Sequence, residues 1–164
     1  MSSIENVKEY LKQFGAADQV MEFTESSATV ELAAKAVGVE PARIAKSLTF
    51  ASREGGCLMI VAAGDAKVNN GMFKRRFGCK PSMLRAEDAL KFTGHAVGGV
   101  CPFALPETVE VYLDESMRRF QTIFPAAGSS NSAIELTMDQ LEEYSRAKGW
   151  VDVCKGWRDE EEEG

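Results

Sequence analysis

The sequence holds a single histidine, His95, and four cysteines, Cys57, Cys79, Cys101 and Cys154, that stand far apart with no C-x-x-C pair. Structural zinc needs closely spaced thiolate or imidazole ligands, so no metal site is expected. No apolar run reaches the roughly 18 residues that cross a bilayer. The start, Met1-Ser2-Ser3-Ile4-Glu5, lacks the basic and apolar regions of a secretion signal. Without such a leader a disulfide framework is not expected in a domain of this size. A soluble cytoplasmic protein with no membrane partner is the expectation. There is no internal repeat and no interior linker, and 164 residues at 45% hydrophobic content fit one domain with one core.

What is present is uneven charge. The formal net charge is −6, but the last six residues carry five acids and no base, whereas residues 1–158 carry 19 bases and 20 acids. Residues 158–164 are expected to be an unstructured acidic tail on a domain spanning 1–157. Between Lys67 and Arg85 lie six bases, Lys67, Lys74, Arg75, Arg76, Lys80 and Arg85, and no acid. That stretch suits an anionic partner, nucleic acid first, or else a solvated helix face. The acidic whole argues against broad binding to DNA, which is not expected as a partner.

Periodicity gives a mixed set of elements. Ser2 and Glu5 have capping-box spacing ahead of Ile4, Val7, Leu11 and Phe14, with Gly15 to end the helix. Val20–Phe23 reads as a strand, Thr29 caps a helix ending before Gly38, and Pro41 opens a short turn. Ala45–Ala51 alternates as a strand, and Cys57–Ala63 is a buried one. Asp65 is expected to cap a basic helix over 66–77, followed by a helix at 87–92. Strands are expected at 109–113, 119–124, 133–136 and 150–154. Thr137 and Gln140 box the start of a helix running to Lys148, with Gly149 as its stop. The result is an α/β, mixed α+β fold: a single domain with a mixed, partly barrel-like β-sheet surrounded by helices.

Two places carry chemistry. Residues 94–104 hold the pair Gly98-Gly99, then Pro102, beside His95 and Cys101. Such a loop can bring main-chain N–H groups close to a ligand, or can be an ordinary tight turn. Alternation places Lys46 on the face of Leu48 and Phe50. An inward ammonium needs a partner or a ligand, unless its stem reaches solvent. A later loop, Ala127-Gly128-Ser129-Ser130-Asn131-Ser132, is a hairpin connection or a second wall of a site. Cys101 has no histidine that the sequence can place beside it, and His95 reads as structural.

Read together, Ile44-Ala45-Lys46-Ser47-Leu48-Thr49-Phe50, Gly64-Asp65-Ala66-Lys67, Gly94 to Phe103 and Ala127-Gly128-Ser129 resemble the YbaK family in content and order, over about residues 5–155. These are aminoacyl-tRNA deacylases related to the editing domain of bacterial prolyl-tRNA synthetases. The resemblance implies a trans-editing hydrolase, acting on mischarged tRNA, often tRNA for proline. It implies that Lys46 holds the phosphate of the terminal adenosine and that Gly98 and Gly99, within the G-x-x-x-P backbone, position the ester carbonyl. Val100, Cys101, Pro102, Phe103, Asp65, Gly128 and Ser129 would contact the substrate. Lys67, Lys74, Arg75, Arg76 and Lys80 would hold the tRNA acceptor end. No metal and no organic cofactor is implied; a tRNA synthetase is an implied partner. Many members carry a base after the glycine of the later loop. Here Ser129-Ser130-Asn131-Ser132 follows Gly128, which implies another subgroup with another amino-acid preference. Two alternatives remain at this level: a non-catalytic module binding tRNA or a small ligand, and a Schiff base at Lys46.

Overall fold

The computed structural model describes residues 2–158, so the expected acidic tail lies outside them except for Arg158. In chain order the elements are α1 (Ser3–Leu11), β1 (Met21–Glu22), α2 (Val30–Val37), β2 (Ile44–Ala51), β3 (Cys57–Ala63), β4 (Lys67–Val68), α3 (Asn70–Phe77), α4 (Ala86–Thr93), β5 (Val109–Asp114), β6 (Thr122–Pro125), β7 (Ser132–Ala133), β8 (Leu136–Thr137), α5 (Met138–Ser145), β9 (Gly149–Val151) and β10 (Cys154–Lys155). Six strands form one mixed sheet in the order β8-β6-β2-β3-β5-β9, and the pairs β1-β7 and β10-β4 curl its margins into a half-barrel. Every residue of β3 is buried, as a central strand covered on both faces requires. This is the mixed α+β domain that the sequence predicts. Among the described residues no helix is long and apolar enough to cross a membrane.

Local signals set most boundaries. Both capping boxes form, Ser2 with Glu5 and Thr137 with Gln140. Thr29 caps α2, and Gly38 ends it at φ +86°. Several expectations give way to the tertiary structure. The basic helix starts at Asn70 under an Asn69 cap, because Lys67 and Val68 pair with Lys155 and Cys154. Asp65 caps nothing there; Arg119 holds both of its carboxylate oxygens, at 2.6 and 2.9 Å. Residues Glu115–Arg119 coil into a 3-10 helix capped by buried Asp114, so the strand expected from 119 begins at Thr122. The stretch 133–136 splits, with β7 on β1 and β8 on β6. Likewise α5 stops at Arg146, φ +54°, three residues before Gly149, and the last strand divides into β9 and β10.

One irregularity of the sheet creates space. Strand β2 pairs with β3 from Ala45 to Ala51 but meets β6 only at Ile44 and Ala45. Further along, that same edge is taken by residues 82–84: Leu84 N donates to Thr49 O at 3.0 Å, and Ala51 N to Ser82 O at 2.8 Å. Between these points the edge at Lys46–Leu48 has no strand beside it among the described residues.

Candidate functional site

In an antiparallel ladder each residue sends its N–H and C=O to the same side. Thr49 and Ala51 send theirs toward residues 82–84, away from β3, so Ser47 turns its backbone groups into the gap. The gap opens into a cavity of about 330 Å³. Its walls are β2, the loop 27–30 leading into α2, residues from 83 to 89, and Val97, Gly98 and Val100 of the glycine loop. Exposed Met83 and Val97, 63% and 70% accessible, stand at its mouth.

Lys46 lines this cavity and is half-buried, with Nζ 3.5 Å from the Gly64 carbonyl oxygen. No carboxylate lies within 4.0 Å of it among the described residues. Burial lowers its pKa below the ordinary lysine value, and the negative charge of Asp65 counters part of that effect. An ammonium so placed gains from an anion delivered by a ligand.

The glycine loop is built by close approach. Gly98 sits at φ +86°, and Gly99 N donates to Ala96 O at 2.9 Å, closing a turn. A Cβ on Gly99 would stand 2.8 Å from the carbonyl of Gly128 and 2.9 Å from Ser129 Cα, so the two small-residue loops lie backbone to backbone. Gly128 rests in turn on Ser3, Ile4 and Val7 of α1. The Gly99 N–H is therefore spent inside the turn, whereas those of Gly98 and Val100 have no protein partner among the described residues.

His95 fixes the loop from behind. It is buried; its Nε2–H donates to Phe103 O at 2.8 Å, and its Nδ1 accepts from Ser3 Oγ of α1. The carbonyl can only accept, which assigns the proton to Nε2. Burial lowers the His95 pKa, opposed by the bond to Phe103. Cys101 does have a histidine beside it, Nε2 at 3.5 Å, a contact set by how the glycine loop folds back rather than by any regular spacing. The thiol is nonetheless wholly buried and pushed up to about 12 by burial, and the proton on Nε2 already serves Phe103. That pair makes no thiolate nucleophile.

Of the residues singled out in the sequence, Lys46, Gly98 and Val100 line the cavity. Gly99, Gly128 and Ser129 form the seam behind it. Cys101 and Phe103 are in the main core, and Pro102 faces the side of Tyr10. Asp65 is held by Arg119 near Lys46. Lys67, Lys74, Arg75, Arg76 and Lys80 are exposed, on α3 and its flanks, and Arg76 lies over the rings of Phe77 and Tyr112. The wall the sequence reading missed is Ser27-Ala28-Thr29-Val30, whose small side chains look like an ordinary helix lead-in. No group of three or more metal-ligating side chains occurs among the described residues.

The profile of the family described as "Aminoacyl-tRNA editing domain" matches residues 24–144. A Bacillus subtilis protein, YwhH, itself uncharacterised, is 52% identical over 155 residues, 94% of this chain and 99% of that protein. A protein of Enterococcus faecalis, EbsC, named as a candidate Cys-tRNA(Pro)/Cys-tRNA(Cys) deacylase, is 26% identical over 120 residues, 73% of each chain. Among solved structures, a candidate trans-editing enzyme for prolyl tRNA synthetase superposes with a TM-score of 0.84 at 27% identity, covering 95% of this chain and 99% of that one.

Proposed function

The chain belongs to the aminoacyl-tRNA editing domain family, and from that premise we propose that it hydrolyses the ester joining a wrongly attached amino acid to tRNA, with tRNA for proline as the favoured carrier. One observation carries the reading: Lys46, a half-buried cation without a carboxylate within 4.0 Å among the described residues, lines the same cavity as the Gly98 backbone. The Lys46 ammonium holds the phosphate of the terminal adenosine as a compact point charge. The ester carbonyl lies against Gly98 and Val100, whose N–H groups receive the oxygen as its charge grows. Water adds to the carbonyl carbon, the bond to the ribose oxygen breaks, and that oxygen leaves with a proton as the ribose hydroxyl. An aminoacyl ester is reactive enough that positioning and charge stabilisation supply much of the rate. The exposed bases from Lys67 to Lys80 hold the acceptor end, in the cytoplasm where charged tRNA is found.

The test is a panel of mischarged tRNAs incubated with the full chain. Release of one amino acid, lost in Lys46→Ala, supports the reading. If all members stay charged in excess protein while still binding it, the chain is a binding module. The lowered pKa of Lys46 also suits amine attack on a carbonyl. An adduct trapped at Lys46 by borohydride would reassign it to that chemistry.

A further inference from the structure

Two serines of the cavity wall carry hydroxyls, turned into the protein, that have no work in this scheme. Ser27, in the loop before α2, is 6% exposed; Ser47 lies on β2, one residue beyond Lys46. Both line the cavity, and both Oγ atoms are buried without a hydrogen-bond partner among the described residues. The fold does not require them. The backbone N–H of Ser27 already donates to Ser130 O at 2.6 Å, and the neighbouring wall is small and apolar: Ala28, Val30, Ala33, Ile44. Alanine would occupy either position without stranding a polar group, and a buried hydroxyl with no partner is a standing cost that natural interiors rarely keep.

Building on the deacylase reading, we propose that Ser27 and Ser47 are a specificity-determining pair that receives the side-chain hydroxyl of a small amino acid, so that a serine ester is preferred to an alanine ester. Serine χ1 has three staggered wells, so each Oγ can turn from its buried position onto a ligand. The α-amino group is common to every aminoacyl ester and cannot be the source of such a choice. A site offering buried hydrogen-bonding groups rejects an analogue that lacks the match far more strongly than an apolar pocket rejects a methylene.

The experiment compares kcat/KM for seryl and alanyl esters of one tRNA on the full chain, wild type, Ser27→Ala and Ser47→Ala, together with the Tm of each. The wild type should favour the serine ester. Each substitution should lower that preference about tenfold, as loss of one well-made hydrogen bond to substrate does. With the orphan hydroxyl gone, Tm should rise by about 2–4 °C for each kcal/mol recovered. Equal losses on both esters, a wild-type preference for alanine, or a fall in Tm would overturn the proposal while leaving the deacylase reading intact. If the wild type hydrolyses neither ester nor any other in the mischarged panel, the deacylase reading fails and takes this inference with it.

Discussion

Lys46, half-buried, and His95, buried, are both bases whose pKa values are lowered, yet they do opposite things. Under the proposed function Lys46 works charged, against the pull of its burial. Replacing it with alanine should cut kcat/KM by roughly 10- to 100-fold, the equivalent of a charge-assisted hydrogen bond of about 1.5–3 kcal/mol. Because burial lowers its pKa, the ammonium is lost as pH rises, and sooner than for a free lysine at 10.5. Affinity for adenosine monophosphate, measured by calorimetry across pH, should therefore fall on the alkaline side below that value. Lys46→Arg, whose guanidinium stays protonated, should remove the fall. His95 works neutral, between Ser3 and the Phe103 carbonyl. Its folded-state pKa lies below 6.5, so between the two values the unfolded chain binds the extra proton. Stability should accordingly be lost as pH falls from about 6.5, and denaturant midpoints for His95→Gln should show a flatter slope there. The reading of His95 as structural agrees with its buried place against the Phe103 carbonyl. Its partner Ser3 was not legible in the sequence, being 92 residues away.

At the scale of elements, the glycine loop is the sharpest test of how the site is assembled. Gly99→Ala would drive a Cβ to 2.8 Å from the Gly128 carbonyl, a backbone atom that cannot swing aside. Gly94→Ala is the control: its Cβ meets nothing within 4 Å, and only the φ of +78° resists it. Gly94→Ala should cost about 1–2 kcal/mol of stability with activity kept. Gly99→Ala should cost more and should also lower deacylation, since it parts the two loops; thermal unfolding and esterase rates on the same samples check both. The order of elements and the caps were legible because each signal is contained within one helical turn or one alternation. What was not legible depended on partners. Lys67–Val68 looks helical until β10 pairs with it, and Ser27–Val30 becomes a cavity wall only because β2 parts from β6. Lys46 and Gly98, which line the cavity, stood out in the sequence because an inward cation and an unhindered backbone are unusual as residues. Ser27 and Ser47 were missed because a serine is ordinary until its hydroxyl is seen to lack a partner.

Across the whole molecule the charges are sorted rather than large. With bases and acids nearly balanced over residues 1–158, attraction for tRNA must come from where the bases stand. Six of the 19 stand between Lys67 and Arg85, exposed on α3 and its flanks, and the chain that follows α3 passes through residues 82–84 along the β2 edge, where Met83 and Leu84 border the cavity. Under the proposed function, binding of the acceptor end and chemistry on its ester fall on adjoining but separate surfaces, and they can be separated by experiment. Reversing charge at Lys74 and Arg75 together should weaken binding of the whole tRNA and reduce the slope of log K against log salt. The expected reduction is about 0.7–0.9 for each phosphate that is no longer neutralised. Hydrolysis of a minimal aminoacyl-adenosine ester, which does not reach α3, should be unchanged, because Lys46 and the glycine loop are untouched. Filter binding over a salt series and ester hydrolysis on the same variant decide the matter. A tRNA affinity and salt slope equal to wild type would return the basic stretch to the status of a solvated helix face. Equal losses on tRNA and on the minimal ester would mean instead that α3 supports the cavity through Phe73, whose ring lies 5.2 Å from that of Phe50 on β2.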